Sequence, residues 1–443
     1  MRPVFPAIWP SPRAIAVAIG LSALLAVASA VPALTLVFFA CAAVFVAAVV
    51  ADAVLGPPRD ALRVVRRPVP PLALARPATL EYDIRNRGTV AVRFALFETP
   101  VDNIAFASVS IATQVPARSE TTLSAGIVPA ERGRASFGAM YVSVENRLGL
   151  LRRRYRVDAS EDARIFPDLA AVETSGRLAQ RSTLLAAGLR RLRLRGGGSE
   201  FESLRDYLPG DGFRFVDWKA TARRGRMMVA QYDVERSQTI VVALDCGRLM
   251  TPRIGRARKF DYALTAALSV ARVAQAASDN VGLIAFAART LLDIAPRRGA
   301  AHVNALAGAT FDLQPRFEEP DYETTFTELR RRHAKRSLVI LFTDIFDPVT
   351  SAAVLAGLAT LVPRHVAMCV LMNDAAIETA LERTPENVRA AFRTSVAMTL
   401  ADERAKAIAL LRARGIIVVD VPANELSVAL MDAYLDVKAR GLL

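Results

Sequence analysis

The sequence predicts a doubly wound α/β domain over residues 236–443, preceded by a transmembrane helical hairpin at 14–55 and a small antiparallel β-sandwich at 60–168. Three observations carry this. Two long charge-free apolar runs open the chain. Short strand-like runs follow, divided by Gly, Pro and Asn-Arg-Gly turns. From residue 236 onward, buried-strand runs alternate with helical periods.

The apolar runs are residues 14–31 and 33–51, separated only by Pro32. Each approaches the roughly 20 residues an α-helix needs to cross a bilayer. Ala28-Ser29-Ala30 resembles a signal-peptide cleavage site, but cleavage there would leave a mature chain starting with a second greasy segment. Arg2 and Arg13 precede the first run, Arg59, Arg63, Arg66, Arg67 and Arg76 follow the second, and the turn between has no cation. The positive-inside rule therefore places both termini in the cytoplasm. Cys41, Cys246 and Cys369 show no metal-ligand or disulfide spacing, which suits a reducing compartment. The three histidines, at 302, 333 and 365, are too scattered for zinc. A net charge of +14 raises the question of nucleic acid. No aromatic-basic RNA motif, zinc spacing or basic zipper answers it, and anionic lipid headgroups match the juxtamembrane arginines better.

Residues 60–168 read as a sandwich because runs such as ATLEYDIRN and VRFALFETP are strand-length and no helical stretch interrupts them. A connector at 169–235 follows. It begins with a basic amphipathic segment, LAQRSTLLAAGLRRLRLR, and the joint Gly196-Gly197-Gly198, which reads as an exposed helix or as a lipid- or partner-contacting one. Beyond it, Thr239–Asp245, Val281–Ala287, Leu338–Asp344, Val366–Met372 and Ile416–Val421 are buried-strand runs with helical periods between them.

Asp245 and Asp344 end two of these runs, where ligands of open α/β sheets sit. Thr324 and Thr325 open a helix just before the second run. This oxygen set would suit Mg²⁺. The same carboxylates would equally serve as loop caps or arginine partners, and Arg248 stands close in sequence to pair with one.

The connector's RDYLPGDGFRFVDWKATARRGRMMVAQYD, Arg205 to Asp233, shows neither helical nor strand period. Its interleaved charges read as a clasp in which Asp211 pairs with Arg214 and Trp218 is buried. They also read as a docking surface, since arginine and aromatics dominate interface centres. Arg205, Tyr207, Gly210, Asp211, Arg214, Val216, Trp218, Thr221, Ala222 and Arg223 fit R-x-Y-x-x-G-D-x-x-R-x-[IV]-x-W-x-x-[ST]-A-R. By this motif the chain resembles domain-of-unknown-function family 58, bacterial membrane-anchored proteins with a von Willebrand factor A-like domain. That resemblance implies a metal-ion-dependent adhesion site of pattern D-x-S-x-S plus a threonine and a later aspartate. Here Gly247 and Leu249 replace both serines, so the candidate metal set shrinks to Asp245, Thr324 or Thr325, and Asp344, with weakly bound Mg²⁺ or none.

No G-x-S-x-G, H-E-x-x-H, C-x-x-C or P-loop is present. The expectation is a non-enzymatic adaptor at the bacterial inner membrane. Its partner, implied by the resemblance, is a MoxR-type AAA+ ATPase acting on a client. The alternative is a metal-dependent hydrolase using Asp245 and Asp344. A surface adhesin would need an exported domain, against the arginine distribution.

Overall fold

The structure is a computed structural model describing residues 7–58, 61–168, 200–208, 211–233, 238–255, 257–345, 348–362, 364–373 and 375–443. It comprises two compact units, Met1–Phe166 and Pro167–Leu443. The basic amphipathic segment and its glycine joint lie outside the described residues.

In the first unit, the strand Ala7–Pro10 leads into helix α1, Pro12–Ala28. Ser11 caps α1 by accepting from the Ala14 amide at 3.2 Å, and Pro12 occupies the first helical position, where no N–H is required. A tight turn at Pro32–Leu34 precedes α2, Thr35–Leu55. By length and composition, Pro32–Leu55 can cross a bilayer. α1 cannot do so as readily: 17 residues rise about 26 Å, against a hydrocarbon core of about 30 Å. The expected two-span hairpin is thus corrected to one helix of spanning length with a shorter apolar companion.

The rest of this unit is β-structure. Ala7–Pro10, Leu151–Val157, Met140–Glu145, Val92–Glu98 and Ser110–Val115 form a five-stranded antiparallel sheet in that order. Leu62–Arg66, Ala78–Asn86, Glu120–Pro129 and Ile104–Phe106 form a four-stranded one. Alternation buries one face of each: Leu80, Tyr82 and Ile84 point in, and Phe94, Leu96, Val142 and Val144 join the same core. Arg66 and Glu98 are paired inside it at 2.7 Å, and the Tyr82 hydroxyl donates to Glu98 at 2.8 Å.

The second unit holds a hairpin, Glu200–Asp206 with Met228–Asp233, and a six-stranded sheet. The sheet order is Thr290–Arg297, Asn280–Phe286, Thr239–Asp245, Leu338–Phe342, Val366–Asn373, Ile417–Pro422. Five strands are parallel, and Thr290–Arg297 runs antiparallel at one edge. Only residues 287–289 join it to its neighbour, far too few for the crossover a parallel strand requires. The fold-class expectation is corrected accordingly. Antiparallel sheets dominate the first unit, the large sheet is mixed, and the chain as a whole is strand-rich rather than a clear doubly wound α/β protein.

Successive side chains of the five parallel strands feed two cores. Ile240, Val242 and Leu244 pack with α4 (Lys259–Ala276) and α10 (Leu426–Ala439). Val241 and Ala243 pack with α6 (Tyr322–Arg332), α7 (Pro348–Ala359) and the end of α9 (Val388–Ala413). Three shorter helices, α3 (Trp218–Arg224), α5 (Ala300–Thr310) and α8 (Ala375–Glu382), complete the described set.

Candidate functional site

Two groups of polar residues in the second unit correspond to the sequence candidates. The first lies at the carboxyl ends of the Thr239–Asp245 and Leu338–Phe342 strands. Asp245 is fully buried and accepts three hydrogen bonds, from the Tyr322 hydroxyl at 2.7 Å, the Thr343 hydroxyl at 2.6 Å and the Gly247 amide at 2.6 Å. Burial pushes its carboxyl above the usual carboxylate range, and these three bonds only partly offset that.

Asp344 is equally buried but charged on both sides. Lys259 donates to one oxygen at 2.5 Å and Arg404 to the other at 2.6 Å. Arg404 also reaches Asp420 at 2.7 Å and the carbonyls of Ile345 and Met372 at 3.1 and 3.0 Å. Burial alone would lower the Arg404 guanidinium, and the carboxylates of Asp344 and Asp420 reverse that and raise it. Lys259 is 1% exposed, so an ammonium stands at the strand ends beside the carboxylate a metal would need.

The remaining candidates make their recorded bonds to other groups. The Thr325 hydroxyl bonds the Asp321 carbonyl one helical turn back, at 2.7 Å, and the Thr324 amide is capped by the Asp321 carboxylate at 3.0 Å. Arg248 pairs with Glu319 at the surface instead of with Asp245. Position 247 has no room for a serine, because a Cβ there would lie 2.7 Å from the Pro320 ring. Among the described residues no group of three or more His, Cys, Asp or Glu side chains could hold a metal ion. The residues present do not fit a divalent cation: two fixed cations already neutralise Asp344, and hydroxyls and an amide satisfy Asp245.

Lys259, Arg404, Tyr322 and Thr343 escaped the sequence reading, yet a signal existed. Arg404 shares a helical stripe with Ala407, Ile408 and Leu411, and Lys259 one with Ala263, Ala266 and Val270, all buried. A charge at an apolar-face position implies a buried partner.

The second group is the motif, which fills the turn of the Glu200–Asp206/Met228–Asp233 hairpin. Arg205 grips Asp211 with its two terminal guanidinium nitrogens, at 2.7 Å each, and Asp211 also accepts from the Leu208 amide at 2.9 Å. The guanidinium holds the Asp211 carboxyl down, at about 2. Arg205 therefore takes the place expected of Arg214. Gly210 lies outside the described residues, as does the side chain of Arg214.

Further along, the Asp217 carboxylate caps α3 by accepting from the Ala220 amide at 2.9 Å, and Gly225 ends it in a left-handed conformation, φ 68°. The Met228 amide donates to the Thr221 hydroxyl at 3.0 Å, Val216 is buried against the hairpin, and Tyr207 meets Phe213 ring to ring at 5.8 Å. Trp218 departs from expectation: it is 64% exposed rather than buried. Leu208 and Phe213 are similarly open, and Phe215 partly so. Arg223 is exposed on the last turn of α3. With Trp218 this exposed among the described residues, burial is not what holds it at the start of α3.

Residues 203–383 match the family described as "Protein of unknown function DUF58". An uncharacterized protein of Mycobacterium tuberculosis (strain ATCC 25618 / H37Rv) is 24% identical over 181 residues, 40% of this chain and 56% of that one. The chain therefore spans about half the length of that relative. Uncharacterized protein YeaD of Bacillus subtilis (strain 168) is 40% identical over 43 residues, 10% of this chain and 11% of its own. Among solved structures, a PapD-like domain of human CEP192 aligns at 12% identity with a TM-score of 0.20, covering 25% of this chain and 89% of that domain.

Proposed function

We propose that this chain is a membrane-tethered protein-interaction adaptor whose motif loop is the docking surface. The observation that carries the reading is the loop itself. Backbone bonds and the Arg205–Asp211 pair pin it in place, yet Leu208, Phe213 and Trp218 stand open to solvent. Rigid, exposed aromatics beside arginine are the usual energetic centre of a protein interface, because they lose little entropy on binding and bury much area. Pro32–Leu55 supports the tether. The arginines at 63, 66, 67 and 76 support a cytoplasmic location for the chain that follows it, at a bacterial inner membrane. The partner class we favour is a MoxR-type AAA+ ATPase, with the adaptor bringing it to a client near the bilayer.

The hydrolase alternative has weaker support, since Lys259 and Arg404 engage both oxygens of Asp344 and leave no free base there. The test is the affinity of the full chain, in detergent, for the purified MoxR-type ATPase of the same organism. Trp218→Ala and Phe213→Ala should each weaken binding about tenfold or more. Wild-type binding that both substitutions leave unchanged would reject the docking surface.

A further inference from the structure

The first unit carries a polar cavity of about 300 Å³ at the base of the apolar helices. Leu55 and Pro57, at the end of α2, form part of its wall, and Arg13, at the start of α1, another part. Arg93 and Arg147 contribute two further guanidiniums, so three cations border one small space. The carboxylate in the wall does not neutralise them: Glu145 is engaged by Arg152 at 2.7 Å. Asn146 also lines the cavity, and its buried Oδ1 finds no hydrogen-bond partner among the described residues.

The cavity is rigidly built. Asp52, in the last turn of α2, is fully buried and accepts from the amides of Leu148, Leu150 and Leu151 at 2.6, 3.0 and 2.8 Å. Asn146 donates to the Asp52 carbonyl at 2.9 Å, and the Ser11 amide to the Leu150 carbonyl at 2.8 Å. The turn that bears Arg147 is thus fixed to the foot of the spanning helix. Apolar side chains flank it: Trp9 and Ile8 just before α1, and Leu148 beside Arg147, are each at least half exposed. A tryptophan, aliphatic side chains and arginines at the end of a bilayer-length helix are the composition of a membrane–water interface.

We propose that this cavity binds the phosphate headgroup of an anionic membrane lipid, with Arg13, Arg93 and Arg147 facing the phosphate. A headgroup hydroxyl, as in phosphatidylglycerol, would supply the donor that Asn146 Oδ1 lacks. The helix foot presents the cavity to the headgroup layer, so a lipid reaches it without leaving the bilayer. This inference rests on the tether proposed above, and its test separates the two.

The full chain is reconstituted into nanodiscs of phosphatidylcholine containing a minority of phosphatidylglycerol, and its relative association with spin-labelled lipids of each class is measured. Wild type should prefer the anionic lipid. Arg13→Gln combined with Arg147→Gln should reduce that preference about thirtyfold, as expected for two interfacial cations, while the Lys/Lys pair retains it. Equal preference in wild type and the Gln/Gln chain would overturn the proposal. Loss in the Lys/Lys chain as well would show that fold, not charge, was disturbed, and would also count against it. Displacement of the labelled lipid by inorganic phosphate would assign the cavity to the free anion and overturn the lipid assignment. Alkaline washing of the same discs reports the tether separately: a chain that stays but shows no lipid preference refutes only the cavity, whereas a chain that leaves refutes both.

Discussion

The strand-end cluster and the motif loop are both dense in charge, but they treat it in opposite ways. At the strand ends the central charges are turned inward: Asp344 lies between Lys259 and Arg404, and Arg404 continues to Asp420. In the motif loop the bidentate Arg205–Asp211 pair works together with caps and backbone bonds, and large side chains such as Trp218 and Phe213 are left outside. The first arrangement resembles a core that happens to be ionic. The second resembles a surface prepared for contact. A position that looks catalytic by its place in the sheet is occupied by paired charges, and a stretch without regular periodicity carries the exposed aromatics on which the proposed docking surface rests.

The largest effect that would break this contrast is at Asp344. Removing it takes from two buried cations, Lys259 and Arg404, the carboxylate they share, and Asp344→Ala should cost about 3–5 kcal/mol in thermal or denaturant unfolding of the full chain. Lys259→Met leaves Asp344 its second partner, Arg404, and should cost less. If Asp344→Ala unfolds like wild type, the cluster is not the internal scaffold described.

Trp218→Ala should sharpen the contrast from the other side. With most of its surface already in water, its removal should change stability by no more than about 0.5 kcal/mol while partner affinity falls. A large loss of stability would return Trp218 to the role of a clasp.

The smallest effects are pH-dependent, and their signs differ. Asp211, held at about 2, contributes stability above the ordinary carboxylate value and loses it as pH falls toward about 2. Asp245 is raised by burial. Its contribution is present below the ordinary value and is lost as pH rises through the folded one. Melting curves of Asp211→Asn and Asp245→Asn against wild type, from about pH 3 to about pH 7, should therefore diverge. Acidification should shrink the wild-type advantage over Asp211→Asn and favour wild type over Asp245→Asn. Movement in the same direction for both would contradict the two environments.

Much of the local structure was legible. Thr239–Asp245 is a strand, and the apolar runs after it coincide to within a residue or two with the strands Leu338–Phe342, Val366–Asn373 and Ile417–Pro422, because continuous β-branched and aliphatic runs have few other stable homes. What was lost is pairing across distance. The strands Glu200–Asp206 and Met228–Asp233 bracket an insert of 21 residues, 207–227, so neither looked like half of a hairpin. The run TLLDIAP reads as an edge strand in the sequence, but its antiparallel direction does not, because that depends on a three-residue turn rather than on its own residues. Arg248 was the visible cation near Asp245 in sequence, whereas the cations at the site, Lys259 and Arg404, come from helices and only the fold brings them together. Trp218 misled for the ordinary reason that tryptophan is usually buried.

The central claim, that the strand ends are closed by the protein's own cations, is tested most directly by calorimetric titration of the full chain in detergent with Mg²⁺ and Mn²⁺. The account predicts no saturable heat up to millimolar concentrations, and no binding gained by Gly247→Ser, because Pro320 occupies the space that side chain would need. Micromolar binding in wild type, abolished by Asp245→Ala, would contradict it and restore a metal to the strand ends.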